Sequence, residues 1–185
     1  MATRLMSWIR SRTTPEQRRL VKFLVVGGSG VPVNLLSVLV ATAALPVWRF
    51  AGIRNWLAGV FSFPELTNDG VRDIVVYLIG IVVSIFTNFL LHNYWTWGDR
   101  VKSNPGGGFV PRLAKFYLVS SVAASVQLIV SSLLSPQMRK VDLFTLQIWG
   151  DYQVYHVLAP SAGILAGLAI NYFVNNIWTF RKKAE

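Results

Sequence analysis

Cysteine is absent from the 185 residues, histidine occurs twice, and Asp and Glu together number only 8. Without cysteine, disulfides, thiolate nucleophiles and Cys-ligated metal sites are excluded. His92 and His156 alone give no basis for a His-based metal centre, so neither a metal nor a cofactor is expected. Charge of either sign is scarce. Only 14% of residues are charged, against about 25% in an ordinary soluble domain. A soluble domain of this size buries only about two-thirds of its surface. It could not hide the 53% of residues that are hydrophobic, 13% of the chain being aromatic. The composition implies that a bilayer is the solvent for much of the chain.

What the sequence does have is four long apolar stretches, Phe23–Leu45, Ile74–Trp97, Leu113–Ser135 and Val157–Phe180. At about 1.5 Å per helical residue each can cross a hydrocarbon core roughly 30 Å thick. Lys115 is the one formally charged residue inside them, and it sits near an end. The fold class read from this is an all-α integral membrane protein of four transmembrane helices, arranged as two tandem hairpins. Residues 1–185 form a single membrane domain. It comprises a juxtamembrane N-terminus (1–22), a first repeat (23–97), a linker (98–112) and a second repeat (113–180). Thr14-Pro15-Glu16-Gln17 has the pattern of a capping box with proline in the first turn, so a helix is expected to start near Pro15. Pro46 and Pro136 are expected to end spans 1 and 3, and Pro32 to kink span 1. Pro105-Gly106-Gly107-Gly108 reads as a flexible connector. The first apolar run exceeds the length of a signal-peptide core, so cleavage is not expected.

Orientation follows from the basic residues. Thirteen of the 18 Lys and Arg fall on the side of the N-terminus, the linker and the C-terminal tail. The positive-inside rule then puts both termini in the cytoplasm and the chain in the cytoplasmic (inner) membrane as a multi-pass protein. The net charge of +10 is accounted for by topology and by anionic membrane lipids, and no nucleic-acid partner is expected. Arg4-Leu5-Met6-Ser7-Trp8-Ile9-Arg10 reads as a surface helix on such lipids.

The second half repeats the first. Arg19-Leu20-Val21-Lys22-Phe23 matches Arg112-Leu113-Ala114-Lys115-Phe116 at an offset of 93. Asn88 to Trp97 matches Asn171 to Phe180 at an offset of 83. Two hairpins crossing in the same sense suggest a bundle with a pseudo-two-fold axis along the membrane normal. Gly80 and Ser84 in span 2, and Gly163 and Gly167 in span 4, stand at i, i+4 spacing, as helix-packing residues do. Asn88 and Asn171 extend the two stripes, and such amides need partners in an apolar medium.

The Lys-Phe starts of spans 1 and 3, the cluster Gly27-Gly28-Ser29-Gly30 and the two Asn-x4-Asn-x-Trp-Thr-aromatic endings resemble the GtrA-like family. They also resemble the membrane hairpins of polyprenyl- and dolichol-phosphate mannose synthases. The likeness spans residues 18–182. Two features depart from it. His92-Asn93-Tyr94 and Asn175-Asn176-Ile177 carry no Arg where family members commonly have one, and the loops are longer. The resemblance implies a role with polyprenyl-phosphate-linked sugars in cell-envelope glycosylation.

A lipid phosphate is an anion at the membrane surface and needs donors and positive charge there. Lys22, Lys115, Arg19, Arg112, Asn88, Asn93, Asn171 and Asn176 stand at the matching ends of the spans. They are the candidate lipid-phosphate ligands, as two equivalent clusters. The same Lys and Arg could instead simply snorkel to the interface. Trp95, Trp97, Trp178 and Phe180 read as an aromatic belt, with sugar stacking as the alternative. Trp48–Phe63 and Leu143–Tyr155 read as amphipathic outer segments. No catalytic residue is expected, because no paired carboxylate, phosphate loop or nucleophile–base set is present. The leading expectation is a protein that binds and translocates or recycles polyprenyl-phosphate or its sugar conjugate. A scaffold that recruits a glycosyltransferase and a small-molecule exporter are the alternatives. A glycosyltransferase and a second copy of the chain are the protein partners considered.

Overall fold

The computed structural model describes residues 12–61, 67–104, 107–140, 145–147, 151–153 and 155–182. The Arg4–Arg10 segment and Pro105-Gly106 lie outside the described residues. Helix α1 is Pro15–Ala44, followed by a 3-10 turn at Val47–Phe50 and helix α2, Ala51–Phe61. Helix α3, Asn68–Leu91, continues into a π-helical turn, His92–Thr96. After the short helix α4 (Gly98–Ser103) come α5 (Phe109–Lys140), strands β1 (Thr145–Gln147) and β2 (Asp151–Gln153), and α6 (Tyr155–Val174). A second π-helical turn, Asn175–Thr179, follows α6.

The termini of these helices follow from local chemistry. The Thr14 hydroxyl accepts from the Gln17 N–H at 3.2 Å, and the Gln17 side chain accepts from the Thr14 N–H at 2.8 Å. This reciprocal box starts α1. Its end at Ala44 precedes Pro46, and the Leu45 N–H closes the last turn on Ala41 O. Thr67 caps α3 through its hydroxyl, which accepts from the Gly70 N–H at 3.0 Å. Pro136, by contrast, does not end α5, which runs on to Lys140. A proline removes one intrahelical bond. A helix can run on past the loss of that one bond, as α5 does here. Trp48–Phe63 becomes largely helical through α2. The segment expected to be amphipathic at Leu143–Tyr155 instead holds a small antiparallel ribbon, with Thr145 opposite Gln153, Leu146 opposite Tyr152 and Gln147 opposite Asp151.

Among the described residues four helical stretches are long and apolar enough to cross a membrane: Pro15–Ala44, Asn68–Thr96, Phe109–Gln137 and Leu158–Thr179. Their outer faces carry Leu35, Leu36, Leu39, Leu128, Leu133 and Leu165, all exposed. Such faces are stable against lipid tails and not against water. The chain divides into two compact units, Met1–Thr96 and Trp97–Glu185.

In the first unit α1 and α3 pack antiparallel along a seam of small residues. A Cβ on Gly80 would stand 3.1 Å from Asn34 O and 2.6 Å from the Val38 side chain. A Cβ on Gly30 would stand 2.6 Å from the Asn88 amide and 3.0 Å from Ser84 Oγ. Ser84 Oγ donates to Gly30 O at 3.0 Å. In the second unit α5 and α6 make a seam of the same kind. A Cβ on Gly163 would collide with Gln127 O and Ser131 Oγ, and one on Gly167 would stand 2.9 Å from Ala123 O. Hydrocarbon offers no hydrophobic drive for helix association, so close backbone approach and dispersion must supply it. Only residues without bulk at these positions permit that approach.

Candidate functional site

Each hairpin narrows, at the start of its first span and the end of its second, to a buried aromatic and polar plug. In the first unit Phe23 stacks on His92 with ring centroids 5.1 Å apart, and His92 Nδ1 lies 2.9 Å from Thr96 Oγ1. Phe89, His92, Asn93 and Thr96 are buried, whereas Tyr94 and Trp95 face outward. The π turn produces this division. Its wider i→i+5 spacing rotates successive side chains relative to an α-helix, and such turns recur at functional sites. The second unit has the same device, in which the Phe180 N–H donates to Asn175 O at 2.8 Å. Asn175 and Thr179 are buried there, and Ile177 and Trp178 face outward.

The lysines take corresponding places. Lys22 Nζ stands 5.5 Å from the centre of the Trp95 ring, and Lys115 Nζ stands 5.2 Å from that of Trp178. Both pairs are cation–π contacts, which hold an ammonium at the interface while its stem lies against apolar surface.

Beyond that the two ends differ. In the first unit the Arg19 guanidinium is buried and ion-paired to Glu16 at 2.8 Å. Lys22 Nζ also donates to the Trp95 backbone O at 3.2 Å. Asn88 lies in the seam beside Gly30, and its Oδ1 is buried without a hydrogen-bond partner. Asn93 is 2% exposed. A cleft of about 270 Å³ along this unit is lined by Gly27, Gly30, Val31, Asn34, Leu35 and Ser84, with no charged side chain.

In the second unit a cavity of about 310 Å³ opens at the plug. Arg100, Arg112, Lys115 and Arg181 line it, together with Asn104, Trp178, Thr179 and Phe180. No carboxylate lines it among the described residues. Four cations around one cavity favour an anion there. The walls are held from below. Trp97, fully buried, stacks on Phe180 at 4.6 Å, and its indole N–H donates to Asn176 Oδ1 at 3.1 Å. Arg100 donates to Asn176 O at 2.7 Å and to Phe180 O at 3.2 Å. Asn171 accepts from the Asn175 amide through its backbone and side-chain oxygens. The Thr179 hydroxyl is buried with no hydrogen-bond partner.

Of the eight residues expected to hold a lipid phosphate, Arg112 and Lys115 line this cavity. Asn176 supports its wall through Trp97 and Arg100. Arg19, Lys22, Asn88 and Asn93 belong to the first unit, and Asn171 is bonded to Asn175. The two ends are not alike: Arg19 pairs with Glu16 in one, and among the described residues no carboxylate lines the cavity of the other. Trp97 and Phe180 are not belt residues either, being 0% and 2% exposed. They are stacked packing groups, and only Trp95 and Trp178 face outward. Sequence reasoning counted Arg100 and Arg181 only as topology charges and passed over Thr179. For Arg181 a signal existed, since it stands where the first repeat has Gly98.

The chain matches the GtrA/DPMS transmembrane domain over residues 22–144, more than half its length. It belongs to the GtrA-like membrane family. None of the curated proteins compared with it matches significantly. The match begins at Lys22, at the Lys-Phe start of span 1. GtrA-like membership and the four apolar helices make the chain a multi-pass membrane protein. The family points to the handling of lipid-linked sugars in glycosylation.

Proposed function

We propose that the chain binds the phosphate of a polyprenyl-phosphate, or of its sugar conjugate, at the cavity of the second unit, and so translocates or recycles the carrier across the inner membrane. The observation that carries this reading is the cavity lined by Arg100, Arg112, Lys115 and Arg181, with no carboxylate among its described lining residues, at the end of two membrane-spanning helices. The cations meet the phosphate, Trp178 and Phe180 offer aromatic faces to a sugar or isoprenyl unit, and the apolar flanks of α5 and α6 face the lipid chain. The chain performs no covalent chemistry in this scheme, and a separate glycosyltransferase makes or uses the conjugate. Anionic lipids surround the basic ends.

The test is a vesicle assay. Full-length protein in phosphatidylcholine vesicles should speed transbilayer movement of a labelled isoprenyl-phosphate sugar well above protein-free vesicles. Protein-free rates together with absent binding would overturn the reading. Binding without movement would leave the second reading, a scaffold for a glycosyltransferase. That alternative is kept because the matched domain carries the DPMS name as well as that of GtrA.

The scheme places both termini and the linker on the cytoplasmic side, and the bias of thirteen basic residues towards that side supports it. Single cysteines introduced as Asn104→Cys and Asp142→Cys are expected to react with an impermeant maleimide from opposite faces of the membrane. Reaction of both from one face would refute the four-span topology.

A further inference from the structure

The two repeats share their seams, their π turns and their lysine–tryptophan pairs, yet they differ around the plug. Lys22 donates to the Trp95 carbonyl, whereas Lys115 makes no hydrogen bond among the described residues and lines the cavity. The Thr96 hydroxyl is engaged by His92. His92 corresponds to Asn175, and the equivalent hydroxyl of Thr179, 5% exposed on the cavity wall, has no hydrogen-bond partner. Gly98 corresponds to Arg181, which supplies a cation the first repeat lacks.

A buried hydroxyl without a partner loses more than a made hydrogen bond returns, so such groups normally have a ligand or water. Here the orphan hydroxyl sits among cations. The group that would satisfy both is an anionic oxygen cluster of the phosphate type.

We infer that the chain has a single phosphate site, in the second repeat, with Arg112, Lys115 and Arg181 as its cations and the Thr179 hydroxyl as a hydrogen-bond donor. The first repeat, where His92 engages the Thr96 hydroxyl and the Trp95 carbonyl takes Lys22, serves as structure. This rests on the proposed lipid-phosphate reading and adds to it a stoichiometry and an unequal role for equivalent residues. A chain with one site cannot hand a carrier from one repeat to the other, and the lipid must enter and leave by the same cavity.

The experiment is isothermal titration of farnesyl monophosphate into full-length protein in phosphatidylcholine nanodiscs. Farnesol and inorganic phosphate in parallel separate the contribution of the chain from that of the anion. The expected stoichiometry is one per chain. Thr179→Val is expected to weaken binding about tenfold, the loss of one charge-assisted hydrogen bond. Lys22→Met should leave the affinity within about twofold. Retained thermal melting in each variant shows that the hairpin is intact. Two sites per chain, or equal losses from Lys22→Met and Lys115→Met, would overturn the inference and leave the lipid-phosphate reading standing. No binding of farnesyl monophosphate to the wild type would overturn both. Binding of farnesol equal to that of its phosphate would do the same.

Discussion

Lys115→Glu is expected to reduce affinity for an isoprenyl monophosphate by 100-fold or more, by about the following reasoning. A charge-assisted hydrogen bond to phosphate is worth about 1.5–3 kcal/mol. Two like charges about 4 Å apart cost about 4 kcal/mol at an effective dielectric near 20. The side chain is half-buried, so water screens part of that repulsion. About 1.4 kcal/mol is a factor of ten in binding, which puts even the screened total beyond two decades. The measurement is a titration in zwitterionic nanodiscs, repeated near 1 M salt, where the screening length falls to about 3 Å. Wild-type affinity should fall with salt, and the variant should respond far less. A snorkelling Lys115 predicts otherwise: near-normal affinity, since its cation would then face only water and headgroups. A fall of less than tenfold would remove Lys115 from the site.

Gly163→Val is expected to open the second hairpin. Its Cβ would collide with Gln127 O, which is backbone and cannot rotate away, and with Ser131 Oγ. Overpacking ordinarily costs about 1–3 kcal/mol, and a clash with backbone belongs at or above the upper end. The loss should appear as earlier unfolding in a denaturing-detergent titration read by tryptophan fluorescence, because Trp97 and Trp178 report on the plug of this unit. Gly28→Val is the control. No atom lies within 4 Å of a Cβ built there, and little change is expected. Similar unfolding of both variants would mean that loss of glycine itself, and not the seam, sets the stability. Since the cavity depends on α5 meeting α6, Gly163→Val should also lower phosphate binding, with no cavity residue altered.

Much of this protein is legible in its amino acids alone. Hydropathy over a span is a sum along the chain, so the four membrane-crossing helices follow from composition within each window. The capping box of α1 is likewise local, being written in four consecutive residues from Thr14. The small-residue stripe of Gly80 and Gly163 follows from helical periodicity, which needs no tertiary information. Proline positions were less reliable. Pro46 follows the end of α1, whereas Pro136 lies within α5, because what a proline does depends on whether its freed carbonyl has another partner.

Tertiary structure decided which of the two matching ends can bind. Repeat matching makes Lys22 and Lys115 the same residue, and in each unit the lysine does sit over its tryptophan. What separates them is their neighbours. Arg19 closes on Glu16, while Arg112 and Lys115 share a cavity with Arg100 and Arg181. No local pattern shows that a π turn starts at His92 and at Asn175, because an i→i+5 turn is selected by packing and not by propensity. Nor could the sequence distinguish the buried aromatics Trp97 and Phe180 from the outward Trp95 and Trp178, two residues away in each copy. Composition and periodicity determined that the chain is four apolar helices in two similar hairpins. Contacts between residues distant in sequence determined which cations share one cavity, since that depends on distance in space.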